Sequence, residues 1–208
     1  MQGRNVVVTG GRGGLGEAVV AALTTRGATV HVPGRDVRFE DESSVTAYYA
    51  GLPALWGSVH VIGGFAMGSI TSTTLAQFEQ QWRTNVVTCF LACREATRAL
   101  QKAGGGRIVN VAARAALTVP GGMSAYVAAK GGVAAFTQSL ANEVVHDGIL
   151  VNAVLPGIID TPANRAAMPT ADFATWATPA GIAETIAFLV SPANTVTSGA
   201  LVPVYGRS

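Results

Sequence analysis

The sequence predicts a doubly wound α/β fold, a single Rossmann-type parallel sheet with helices on both faces. Two observations predict it. Six short β-branched runs, at residues 5–9, 28–32, 59–62, 107–111, 149–155 and 200–204, recur with helical patterns between them. The runs are mainly apolar, with apolar residues at successive positions such as Val6-Val7-Val8, which suits strands covered on both faces. A glycine-rich turn follows the first run directly, where such folds begin their first helix.

The 208 residues fit one domain, 1–208, able to bury a full core. Hydrophobic residues make up 49% and charged residues 12%, and a net charge of +2 leaves no basic stripe for nucleic acid. Met1 to Asn5 runs straight into Val6-Val7-Val8, too short for a signal peptide, so a cytoplasmic protein is expected. Every apolar stretch is interrupted before the roughly 18 residues that a membrane span needs.

Taken in order, the first run ends in Thr9-Gly10-Gly11-Arg12-Gly13-Gly14-Leu15-Gly16, and Glu17 opens a helical pattern. About 26 residues separate the second run from the third, room for one helix at 41–50. A parallel crossover needs a dozen or more residues, so Pro33-Gly34-Arg35 cannot lead into another parallel strand. The edge strand and helix that usually follow are missing, or reduced to a turn at 37–39. Thr74-Leu75-Ala76-Gln77 is a capping box opening a long helix that ends at Gly104-Gly105-Gly106. Another helix spans Ser124 to about Val145 and is closed by Gly148. A substrate loop occupies about 157–178, and loops of this length are often lids. Met168, Phe173 and Trp176 would wall a substrate there, or else pack on one another. Thr178-Pro179 then caps a last helix running to Val190.

The glycine turn carries the first chemistry. Glycines between strand and helix let the backbone approach a pyrophosphate, whose charge meets free N–H groups at the helix start. Gly10, Arg12, Gly13, Gly14, Leu15 and Gly16 are therefore candidate dinucleotide contacts, although a flexible turn has the same look. The second motif is Tyr126-Val127-Ala128-Ala129-Lys130. A spacing of four puts both side chains on one helical face, where the ammonium would favour the ionised phenol and lower its pKa. Alone, such a pair is also what a core residue and a solvent residue look like. Cys89 and Cys93, four apart on a helix, read as packing residues, and His31, His60 and His146 have no second ligand at metal spacing. No metal is expected. Gly131 and Gly132, within a helix, suggest close packing against a neighbour.

In this order and separation the two motifs resemble the short-chain dehydrogenase/reductase family. Asn85 in Thr84-Asn85-Val86-Val87 is similar to its helix asparagine, and the likeness runs on through Arg107-Ile108-Val109-Asn110-Val111 to Pro156-Gly157-Ile158-Ile159-Asp160-Thr161-Pro162. The resemblance implies that Tyr126 exchanges the proton, Lys130 holds ribose hydroxyls and Asn85 positions a relay. It further implies that Pro156, Gly157, Ile159 and Thr161 approach the nicotinamide, with Thr161 at its carboxamide.

Two departures stand out. Ala113 occupies the place, thirteen residues before the tyrosine, of the serine that usually meets the substrate carbonyl, and Ser124 points to another helical face. Gly63 and Gly64 replace the family's asparagine-rich turn. Both resemble the dihydropteridine-reductase-like branch, as do Ala112 to Leu117 and the segment from Asp160 to Trp176, whereas Asn85 looks like the general family.

The implied cofactor is NAD(P)(H), with a lean to NADP(H). The end of the second strand carries Gly34 and Arg35 where an NAD-selective site has an acid, so Arg35, helped by Arg12, would meet a 2′-phosphate. Asp36 one residue on, and the NADH use of the branch, point the other way. The implied activity is hydride transfer to a C=N or C=O substrate. The alternatives are a general ketone reductase or alcohol dehydrogenase, and a nicotinamide-sensing binding protein without turnover. Partners would be a small-molecule substrate and further copies of the chain, since the two long helices resemble those the family uses for dimer and tetramer contacts.

Overall fold

The computed structural model describes residues 1–207. Six strands form one sheet: β1 (Asn5–Thr9), β2 (Thr29–His31), β3 (Gly57–His60), β4 (Gly106–Val111), β5 (Ile149–Pro156) and β6 (Leu201–Val204). Their order is β2-β1-β3-β4-β5-β6 and every pairing is parallel. The apolar runs explain this. Val7 faces one side with Ile108, Val151 and Ala153, while Val6 and Val8 face the other with Val59 and Val109. Both faces are dry, which a strand achieves only when helices cover it above and below.

On the Val6/Val8 face pack α1 (Gly14–Thr25) and α8 (Pro179–Val190); the Val7 face is covered by α2 (Glu42–Ala50), α4 (Thr88–Ala103) and α6 (Ser124–Val144). No helix among the described residues is long and apolar enough to cross a membrane. The chain leaves β1 toward β2 on one side and returns to β3 on the other. That reversal opens a crevice beyond the carboxyl ends of β1 and β3, where open parallel sheets bind ligands.

The shortened region is as the spacing requires. After the three-residue edge strand β2, Val37 bonds back to Gly34 and Asp41 to Arg38, and the Asp41 side chain then caps α2 through the Ser44 amide. No further strand intervenes. Other expectations need correcting. The long helix from Leu75 is not continuous: α3 (Leu75–Trp82) passes through a π turn, Arg83–Val87, before α4. The first helix begins at Gly14, inside the glycine run, and not at Glu17. The 157–178 loop contains α7 (Pro162–Ala167), capped by the Thr161 hydroxyl, and a 3-10 turn at Phe173–Thr175. A short α5 (Ala115–Thr118) follows β4. Gly132 does pack closely, 3.3 Å from its would-be Cβ to Trp82, but Gly131 has nothing within 4 Å.

Candidate active site

Backbone shape makes the first wall of the crevice. Gly10 has φ +68, a left-handed conformation that favours glycine, and a Cβ at Gly16 would stand 2.0 Å from the Gly10 carbonyl oxygen. No side chain caps the helix at Gly13, and the first intrahelical bond comes from the Glu17 amide to Gly13. The amides of Gly14, Leu15 and Gly16 thus head α1 with its positive end toward the crevice. This glycine-rich cradle of backbone amides fits the pyrophosphate of a dinucleotide. Thr161 lies across it, its methyl 3.2 Å from where a Gly14 Cβ would be. Arg12 and Arg35 are exposed, and neither enters an ion pair among the described residues.

The second wall is assembled from three elements around one glycine. Gly63 leaves β3 so close to its neighbours that a Cβ there would lie 2.8 Å from Asn85 Oδ1 and 3.0 Å from Lys130 Nζ. Asn85 is 1% exposed and sits in the π turn, whose extra residue shifts its register relative to a regular helix. It grips the backbone on both sides: Oδ1 accepts from the Gly64 amide at 3.1 Å, and Nδ2 donates to the Gly64 carbonyl at 3.1 Å and the Gln81 carbonyl at 2.9 Å. Lys130 is 5% exposed and donates to the Val111 carbonyl at 3.0 Å. Gly63 and Gly64 therefore serve contact with Asn85 and Lys130.

Tyr126, one turn before Lys130, is half-buried. Its ring meets that of Phe65 at right angles, 87°, with centroids 4.9 Å apart. The phenol pKa is not lowered, contrary to the expectation from spacing: burial pushes it up to about 12. The Lys130 ammonium is held by Val111 instead of the phenol, and its own burial depresses it to about 8.

Ala113 is buried just beyond β4 and offers no donor. Arg114 does not stand in for it, because its guanidinium lies over the Tyr205 ring at 5.0 Å. In the loop beyond β5, Asp160 and Arg165 form a two-point ion pair, the Arg165 guanidinium lies 4.9 Å over Phe173, and Phe173 tilts against Trp176 at 4.9 Å. Trp176 is 6% exposed, so it props the loop from below and is no open wall; Met168 and Phe173 are half-buried. Pro156 ends β5, Gly157 follows it, and the Ile159 carbonyl accepts from Asn164 at 2.8 Å.

Sequence reasoning missed Gln81. It lies four residues before Asn85, and its buried Oε1 has no partner where it lines a crevice of about 30 Å³ with Met67, Thr73 and Met123. A polar crevice of that size has room for a water. It also missed the tertiary cluster of His60, Cys89 and Cys93, whose ligand atoms lie within 4.8 Å of one another. Hydrogen bonds already employ it. Thr137 donates to the Val133 carbonyl and accepts from Asn110 Nδ2, which turns Asn110 Oδ1 toward His60 Nδ1 at 2.8 Å. His60 Nδ1 meets the Asn110 oxygen as donor, and Nε2 shares a hydrogen bond with the Ser58 hydroxyl at 2.8 Å. Both ring nitrogens are thus engaged in hydrogen bonds.

Comparison with known proteins agrees with this fold. The family model described as Enoyl-(Acyl carrier protein) reductase matches residues 1–206. The 3-oxoacyl-[acyl-carrier-protein] reductase FabG of Vibrio cholerae is 29% identical, over 99% of this chain and 97% of that one. A short-chain type dehydrogenase/reductase from Mycobacterium ulcerans superposes with a TM-score of 0.93 at 24% identity, over 100% of this chain and 90% of that one. The structure of ElxO with NADP bound does so with 0.91 at 23% identity, over 99% and 98%.

Proposed function

The chain belongs to the short-chain dehydrogenase/reductase family, and we propose that it is an NAD(P)H-dependent reductase in which Tyr126 protonates the oxygen or nitrogen of a reduced C=O or C=N bond. The observation that carries this is the convergence of Asn85 and Lys130 on Gly63, one helical turn from Tyr126. A dinucleotide on the Gly10–Gly16 cradle would supply the hydride. The residues around it have separable work. The α1 amides and Arg12 hold phosphate, and Arg35 favours NADP(H), the cofactor bound in ElxO. Thr161, Pro156, Gly157 and Ile159 border the far end. With its pKa near 12, Tyr126 is a neutral phenol at physiological pH and so donates a proton. Lys130, near 8, is mostly ammonium there; it holds ribose hydroxyls and favours the phenolate left after transfer.

Ala113 directs the choice of acceptor. Developing charge on one carbonyl oxygen needs fixed donors, and removing one typically lowers rates by about 10²–10³. A conjugated imine or quinonoid ring spreads that charge, so one phenol proton suffices and dihydropterin-like acceptors are favoured. A second reading is reduction of a 3-oxoacyl group, which the full-length likeness to the Vibrio cholerae reductase favours. The test is Tyr126→Phe on a panel of quinonoid dihydropterin, quinone, 3-oxoacyl thioester and simple ketone. Turnover of the preferred acceptor should vanish while NADPH still binds, because only the hydroxyl is removed. Turnover within a few fold of wild type would refute the mechanism.

A further inference from the structure

We propose that Phe65 is a specificity-determining residue that selects planar, conjugated acceptors, an inference that rests on Tyr126 being the proton donor. Phe65 leaves 60% of its surface open, although its ring stands against the half-buried phenol. An aromatic ring left largely open forgoes the stabilisation that covering its apolar surface would bring. Beside a reactive hydroxyl, such an open apolar surface is what a ligand covers.

Nor does the ring ride on a loose segment. Immediately before it, both polar groups of the Gly64 backbone are bonded to Asn85. Three residues after it, Gly68 donates to the Gly122 carbonyl at 2.9 Å and bridges to Met123, at the start of the helix that carries Tyr126. These two ties hold Phe65 in register with the phenol. The same segment exposes Met67 and Ile70, and the segment from α5 to α6 exposes Leu117 and Val119.

A flat conjugated acceptor has a face to lay on Phe65, a contact that stabilises beyond the area it covers. An extended aliphatic 3-oxoacyl chain has none. Shape selection by Phe65 and charge spreading over Ala113 thus favour the same substrates.

The experiment compares wild type, Phe65→Ala and Phe65→Trp, with NADPH saturating, on 9,10-phenanthrenequinone and on acetoacetyl-CoA. The ratio of the two kcat/KM values, quinone over thioester, should fall about two- to tenfold in Phe65→Ala, mainly through KM, and recover in Phe65→Trp. An equal fall on both acceptors would mean that Phe65 merely braces Tyr126, and would overturn the proposal. Quinone binding to Tyr126→Phe with NADP present, followed by calorimetry, separates this inference from the reductase reading. Loss of that binding when Phe65→Ala is added supports Phe65 even if turnover fails, and unchanged binding refutes it.

Discussion

Gly63→Ala perturbs the assembled site at its narrowest point without touching any reacting atom. Gly63 does not have a positive φ, so alanine suits the backbone and the effect isolates the added methyl. That methyl would stand 2.8 Å from Asn85 Oδ1 and 3.0 Å from Lys130 Nζ, both buried and both hydrogen-bonded. One of them must yield. If Asn85 Oδ1 withdraws from the Gly64 amide, a part-buried donor and a buried acceptor lose each other, at about 1–3 kcal/mol. For a chain of this size each kcal/mol lowers Tm by about 2–4 °C, so a fall of about 2–12 °C is expected. A displacement approaching 1 Å at Lys130 should lower kcat by about 10²-fold. Differential scanning calorimetry and steady-state kinetics read the two effects. Gly131→Ala is the control, since nothing lies within 4 Å and alanine in a helix stabilises by about 0.5–1 kcal/mol. Wild-type Tm and kcat in Gly63→Ala would refute the idea that this glycine is required by Asn85 and Lys130.

Burial depresses Lys130 to about 8, so its ammonium is present below that pH and lost above it; kcat/KM, which reports the free enzyme, should show a falling limb near pH 8, and a flat profile from 6 to 10 would contradict the assignment. Ala113→Ser places a hydroxyl where the site has none and should raise kcat/KM on a simple ketone by up to about 10²-fold; no gain over an already efficient wild type would remove the mechanistic meaning of the alanine. Arg35→Ala should raise the KM for NADPH by roughly tenfold or more through loss of a charge-assisted contact and leave NADH little changed, whereas equal effects on both would show that Arg35 does not meet the 2′-phosphate.

Local chemistry alone carried most of the scaffold. Runs such as Val6-Val7-Val8 and Ala153-Val154-Leu155 are apolar on both faces, and a parallel sheet under two layers of helices satisfies them. The space between β2 and β3 was too short for a further parallel strand, and the chain indeed turns at Gly34 and Arg38 into α2. Thr74 and Thr178 announced their helices because a capping hydroxyl acts on amides two or three residues away. Lys130 four residues after Tyr126 was equally legible, since helical spacing is a local property.

What the sequence could not decide depends on contacts between distant segments. Spacing put an ammonium near a phenol, but the Val111 carbonyl from β4 takes the ammonium, and burial then raises Tyr126 where proximity alone would lower it. Gly63 and Gly64 read as a missing motif until Asn85, twenty-odd residues later, closed on them from a π turn that no helical periodicity predicts. Phe173 and Trp176 have the composition of a substrate wall, yet they pack on each other and bury Trp176. His60, Cys89 and Cys93 meet only because β3 lies against α4. The sequence by itself determined the scaffold and the helical spacing of Tyr126 and Lys130, because periodicity, capping and spacing act within a few residues. The tertiary structure alone decided their ionisation, their partners and which side chains face the crevice, because those depend on desolvation and packing between elements far apart in the chain.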